Sequence, residues 1–103
     1  MVEIGRVENP PLPEEGRAVR VVVGGIPLAV FRIGGTLYAL DARCTHVGGP
    51  LEKGAVQGTL VTCPWHGSVF DVRDGSVVHG PASRSATSYR LRMEGSTLVV
   101  DRN

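Results

Sequence analysis

Two short stretches of this chain concentrate residues that bind metals: Cys44-Thr45-His46-Val47-Gly48-Gly49-Pro50-Leu51 and Cys63-Pro64-Trp65-His66-Gly67-Ser68. Each offers one thiolate and one imidazole, as C-x-H and as C-x-x-H. The chain has only two cysteines and three histidines, so these stretches hold both thiols and two of the three imidazoles. Three chemistries use such a set. The cysteines could form a disulfide and leave the histidines on the surface, although a reducing cytosol disfavours that bond. Two thiolates and two imidazoles could hold a structural zinc ion tetrahedrally. Zinc sites usually bring their cysteines as a C-x₂₋₄-C knuckle, whereas here each stretch mixes Cys with His. In the third chemistry the cysteines bind one iron of a [2Fe–2S] cluster and the histidines bind the other. That needs two loops meeting at their tips, each with one Cys and one His.

The elements around these stretches read as strands. Runs rich in Val, Ile, Leu and Thr are separated by glycine, of which there are 14. Val19 to Val23, Gly24-Gly25 and Ile26 to Ile33 predict a hairpin, and Gly34-Gly35 turns the chain into Thr36 to Leu40. Asp74-Gly75 between Val69–Val72 and Ser76–Val78, and Glu94-Gly95 between Tyr89–Met93 and Thr97–Val100, are further hairpin signals. No stretch sustains a 3.6-residue apolar period with helix caps. Glu14 to Arg20 comes nearest, but Gly16 interrupts it and the valines after it favour extended chain. The Asn9-Pro10-Pro11-Leu12-Pro13 stretch predicts an extended surface connection. The expectation is therefore one all-β domain over 1–103. Residues 42–54 and 62–67 break the strand pattern as loops, presented by a rigid scaffold.

With the loops placed on that scaffold, the motif set resembles the Rieske ferredoxin family: C-T-H-x-G, then C-P-W-H-G-S with a following F-D, then Gly80-Pro81-Ala82. The family-like residues run from about Asp41 to Ala82. The resemblance implies a fold of stacked antiparallel β-sheets with a small two-loop cluster-binding subdomain at about 41–82. It implies one [2Fe–2S] cluster, with Cys44 and Cys63 on the inner iron and His46 and His66 on the outer one. The histidine edges would then reach solvent, where an electron can enter or leave.

The neighbours fit that implication. Gly48, Gly49 and Gly67 would let the backbone approach the sulfides and donate N–H bonds to them. Pro50, Pro64 and Pro81 would stiffen the three segments around the cluster. Trp65 and Val47 would shield its flank, with ordinary core packing the competing role for Trp65. Respiratory members of the family carry an extra bridged cysteine in each loop, at positions that here correspond to Gly49 and Trp65, so the bridge is lacking. They also have a serine and a tyrosine donating to cluster sulfurs. Ser68 matches the serine, but Phe70 has no hydroxyl. The expected potential therefore lies in the lower half of the Rieske range of about −150 to +300 mV.

Other features bound the function. The formal charge of +1 aims no strong field at nucleic acid, and no apolar run reaches the roughly 18 residues of a membrane span. The start, Met1-Val2-Glu3-Ile4-Gly5-Arg6, lacks the basic flank and apolar stretch of a signal peptide, so the expected location is cytoplasmic. A Rieske-type oxygenase would need a further iron held by two histidines and a carboxylate. With His46 and His66 committed, only His79 remains, and a turn histidine facing water is the plainer role for it. Arg43 could help dock an acidic partner or be a solvated loop charge. The reading is an electron carrier rather than an enzyme, with no small-molecule substrate. It would pass one electron from a reductase to a terminal oxygenase or similar acceptor. The alternatives are a small subunit bound to a larger complex, of the nitrite-reductase type, or a zinc module with no redox role.

Overall fold

The computed structural model describes residues 2–45, 48–65 and 67–102. The ten strands are β1 (Val2–Glu8), β2 (Ala18–Val23), β3 (Ile26–Ile33), β4 (Thr36–Asp41), β5 (Ala55–Gln57), β6 (Leu60–Thr62), β7 (Val69–Asp71), β8 (Val77–His79), β9 (Ser88–Glu94) and β10 (Thr97–Arg102). A single 3-10 turn, Leu51–Lys53, is the helical element among the described residues. The strands form two antiparallel sheets. One has six strands in the order β1-β10-β9-β4-β3-β2, and the other has four in the order β5-β6-β7-β8. All-β architecture with stacked antiparallel sheets is what the sequence predicts.

The four hairpin turns fall where the glycines place them. β2 pairs with β3 from Val23↔Ile26, β3 with β4 from Ile33↔Thr36, β7 with β8 from Phe70↔Val77, and β10 with β9 from Thr97↔Glu94. The glycines at 24, 25, 34, 35, 75 and 95 all have positive φ, the region where a side chain would be strained. Gly24 has a second reason to lack a side chain, because a Cβ there would stand 2.3 Å from the Ile4 carbonyl oxygen. A Cβ at Gly5 would likewise meet Val23 Cγ1 at 2.9 Å. The six-stranded sheet thus curls until its outer strands β1 and β2 touch, which only bare backbone allows.

That curl gives β3 two interiors. Leu28 and Val30 point into the curled sheet with Val21, Val23, Ala39, Leu98 and Val100. Ala29 and Phe31 point the other way and pack with Leu40, Leu51, Val61, Phe70, Val72 and both cysteines. Alternate residues of a strand face opposite sides, so a strand buried on both faces needs a continuous apolar run, and Leu28-Ala29-Val30-Phe31 is that run. The second interior joins the two sheets. Fully burying one Phe or Leu side chain there is worth roughly 1.5–3 kcal/mol.

The structure adds three elements to the sequence reading. β1, β5 and β6 lie where the sequence pattern predicts no strand. The loop expected over 42–54 contains the 3-10 turn, and Thr62, expected in the second loop, closes β6 instead.

Candidate cluster site

Chain excursions between β4 and β9 build the site. β4 and β9 are hydrogen-bonded neighbours, with Ala39 opposite Tyr89 and Leu40 opposite Ser88. Everything between, including both cysteine stretches and Gly80-Pro81-Ala82, leaves the six-stranded sheet at one place and returns beside it.

The two cysteine loops share one backbone frame. A bridge between Arg43 and Pro50 closes the first, and the Thr62↔Val69 pair of β6 and β7 closes the second. Cys44 N–H donates to the Gly49 carbonyl at 2.8 Å, and Gly48 N–H donates to the Cys44 carbonyl at 2.8 Å. Cys63 N–H donates to the Ser68 carbonyl at 2.7 Å, and Gly67 N–H donates to the Cys63 carbonyl at 3.1 Å. In each loop the residue four after the cysteine is a glycine in the left-handed region, Gly48 at φ 75° and Gly67 at φ 77°. The amides of Gly48 and Gly67 close the turns. Their glycine character is required by φ.

Both cysteines are buried, at 3% and 1% exposure, and neither is in a disulfide. The loops face each other: a Cβ built on Gly49 would lie 2.9 Å from Cys63 Sγ and 3.1 Å from Trp65 Cγ and Cδ2. Gly49 is therefore bare because the opposite loop occupies its side-chain space. The same contact brings together the two positions that correspond to the bridged cysteines of respiratory relatives. Trp65 is 58% exposed, so core packing is not its role.

A third segment, 80–86, ties the loops together. Ser68, fully buried, accepts the Ala82 N–H on its Oγ at 3.0 Å. That bond uses the hydroxyl as acceptor and leaves its own proton available for another partner. Thr45 Oγ1 donates to the Arg84 carbonyl at 2.6 Å. With the Gly49–Trp65 contact, these bonds close a triangle of loop, loop and segment. The sequence offered no local sign of the Thr45–Arg84 tie, which spans 39 residues. Pro81 follows a cis peptide bond and is exposed. Phe70 is fully buried. His46, Val47 and His66 lie outside the described residues, so the structure supplies no position for these expected site members.

The arginines near the site are mostly committed. Arg43 makes a two-pronged bond to Asp41, Nε to Oδ1 at 3.0 Å and Nη2 to Oδ2 at 2.8 Å. Burial pushes the Asp41 carboxyl up, but the bonds from Arg43 outweigh it and hold the group below its ordinary range. Arg73 repeats the motif on Asp71, with Nε to Oδ1 at 3.0 Å and Nη2 to Oδ2 at 2.7 Å, and its side chain is the main cause of Asp71's lowered pKa. His79 is exposed on β8, opposite Val69.

Two buried thiols at matched positions, a bare Gly49 against Cys63 and a buried hydroxyl with a proton to give suit a sulfur-rich inorganic group. The comparisons with known proteins name the class. The Rieske [2Fe-2S] domain model matches residues 2–90, and the chain belongs to that family. It is 32% identical over 87 residues, 84% of each chain, to the ferredoxin component of the naphthalene 1,2-dioxygenase system of Pseudomonas aeruginosa. Its backbone superposes at a TM-score of 0.83 on the ferredoxin of carbazole 1,9a-dioxygenase from Nocardioides aromaticivorans IC177, at 24% identity over the whole of both chains. A second match, also at 0.83 with 27% identity over 95% of each chain, is a ferredoxin solved in a complex of reduced oxygenase and oxidized ferredoxin in carbazole 1,9a-dioxygenase. The cofactor is a [2Fe–2S] cluster, and the protein is an electron carrier of a multi-component system rather than a catalyst. No described helix is long and apolar enough to cross a membrane.

Proposed function

We propose that Cys44 and Cys63 hold one iron of the cluster and His46 and His66 the other, in one Rieske unit spanning the chain. In this reading the protein accepts an electron from a reductase and delivers it to a terminal oxygenase that attacks an aromatic ring, in the cytoplasm. The observation that carries the proposal is the pair of matched loops, each with a buried cysteine and a glycine four residues on. When bound, the cluster supplies a one-electron couple. Two neutral imidazoles in place of two thiolates make it easier to reduce than an all-cysteine cluster. The chain's own residues then do three things. The Gly48 and Gly67 turns fix both cysteines, the apolar wall of Leu51, Val61 and Phe70 keeps water from the sulfur side, and the Ser68 hydroxyl is placed to favour added negative charge.

Names of the relatives support the partners, because both the naphthalene and carbazole systems pair a ferredoxin with a dioxygenase. The test is an electron paramagnetic resonance spectrum of the dithionite-reduced holoprotein, with iron and acid-labile sulfide assayed in parallel. A low-average-g signal with nitrogen couplings that weaken in His46→Ala and His66→Ala is expected. A colourless protein with stoichiometric zinc would overturn the assignment.

A further inference from the structure

We propose that Trp65 and Arg84 form the docking surface for a redox partner whose contact face is acidic around an apolar recess. The inference rests on the electron-carrier reading and adds the partner's chemistry to it.

Charge gives the sign. The segments 42–50, 62–70 and 78–87 contain Arg43 and Arg84 and not one of the chain's ten Asp and Glu residues. Arg43 is compensated by its two-pronged bond to Asp41. Arg84 is exposed, and among the described residues it has no ion pair. Among the described residues of these segments Arg84 is thus the one arginine without an ion pair, and the nearby Asp41 carboxylate is spent on Arg43. An acidic surface meets attraction there and a basic one meets repulsion.

Rigidity gives the anchor. Single exposed apolar residues are ordinary on protein surfaces, but Trp65 is held on one edge. Its ring atoms Cγ and Cδ2 occupy the space that a side chain at residue 49 would take, while 58% of the residue faces solvent. An aromatic already fixed in place loses little freedom on binding, and Trp and Arg are the residue types that dominate interface energies. The backbone that carries Arg84 is tied to the first loop, through the Thr45 hydroxyl on its carbonyl. Thr45 precedes His46, and Trp65 precedes His66. A partner seated on Trp65 and Arg84 would touch the second loop and the segment tied to the first.

The experiment uses stopped-flow oxidation of the dithionite-reduced holoprotein by two soluble electron-transfer proteins, acidic plastocyanin and basic cytochrome c. Potential and iron content are measured for every variant. The plastocyanin rate should fall as salt rises from about 0.02 to 0.5 M, a range that collapses the screening length. Arg84→Glu should lower that rate several-fold at low salt, raise the cytochrome c rate, and lose both effects at high salt. Trp65→Ala should slow plastocyanin several-fold at high salt as well, beyond any change its potential explains. Arg17→Glu makes the same change in net charge at the end of the sheet that carries the β3–β4 turn, and should do much less. Equal responses to Arg84→Glu and Arg17→Glu, with the cluster intact, would overturn the docking surface alone. Loss of iron, or no electron transfer to either probe from unaltered protein, would overturn the carrier reading beneath it.

Discussion

The loops 44–49 and 63–68 are built on the same backbone frame and supported in different ways. Both are closed by an antiparallel pair, both send the cysteine N–H to the carbonyl five residues on, and both turn through a left-handed glycine. Yet the histidine follows its cysteine by two residues in the first loop and by three in the second. The first loop leans on an exposed Thr45 hydroxyl, whereas the second leans on a wholly buried Ser68. The shared part presents a thiolate, and the unshared part distinguishes the loops in stability and in redox tuning.

Removing a cysteine tests the shared part and has the largest effect. Cys44→Ser and Cys63→Ser should each abolish the cluster, read as loss of colour, iron and sulfide. If one variant kept the cluster, the loops would not be equivalent holders. Next comes Ser68→Ala, which strands the buried Ala82 N–H at a cost of about 1–3 kcal/mol and should also lower the reduction potential. Thermal unfolding and redox titration read the two effects separately. An unchanged potential would show that the hydroxyl proton does not reach the cluster.

Gly48→Ala and Gly67→Ala should each cost about 1–2 kcal/mol, since their φ values are alike and a Cβ is penalised there. Denaturant titration giving clearly unequal losses would break the shared frame. Thr45→Val should cost less than Ser68→Ala, about 0.5–1.5 kcal/mol, because water can replace the exposed bond to the Arg84 carbonyl. A loss as large as that of Ser68→Ala would make the two supports equal.

The smallest effect concerns acid. Asp71, held low by Arg73, contributes stability that is present above the unfolded carboxyl pKa of about 3.9. That contribution is lost as pH falls through the lower folded value. Arg73→Gln should therefore move the acid-unfolding midpoint upward. An unmoved midpoint would show that the pair contributes nothing.

Much of this arrangement is legible in the sequence. Gly24-Gly25, Gly34-Gly35 and Glu94-Gly95 mark the hairpins of the six-stranded sheet, and the valine and leucine runs mark its strands. The C-x-H and C-x-x-H spacing singles out Cys44 and Cys63, which the structure buries. Even the shared loop frame has a sign, a glycine four residues after each cysteine. β5 and β6 escape because three residues, Ala55–Gln57 and Leu60–Thr62, are too few to show alternation between Gly54, Gly58 and the second loop. β1 is hidden by charges at Glu3, Arg6 and Glu8 and by Gly5, whose role is to let β2 approach. Trp65 reads as a shield in sequence, but whether an aromatic faces the core or the solvent is decided by what occupies the space beside it. Here that is the gap left by Gly49.

The entry and exit of residues 42–87 on adjacent strands make this region a graft on a hairpin. Leu40 and Ser88, the last paired residues beside it, are one strand spacing apart, about 5 Å. Its removal in favour of a tight turn would leave β4 and β9 paired and the curled sheet's own interior of Leu28, Val30, Leu98 and Val100 untouched. A recipient sheet would need only two neighbouring antiparallel strands and an outer face resembling Ala29, Phe31 and Leu40. Spliced there, the segment should carry its iron with it, and a transplant that stays colourless would show that the host contributes more than a floor.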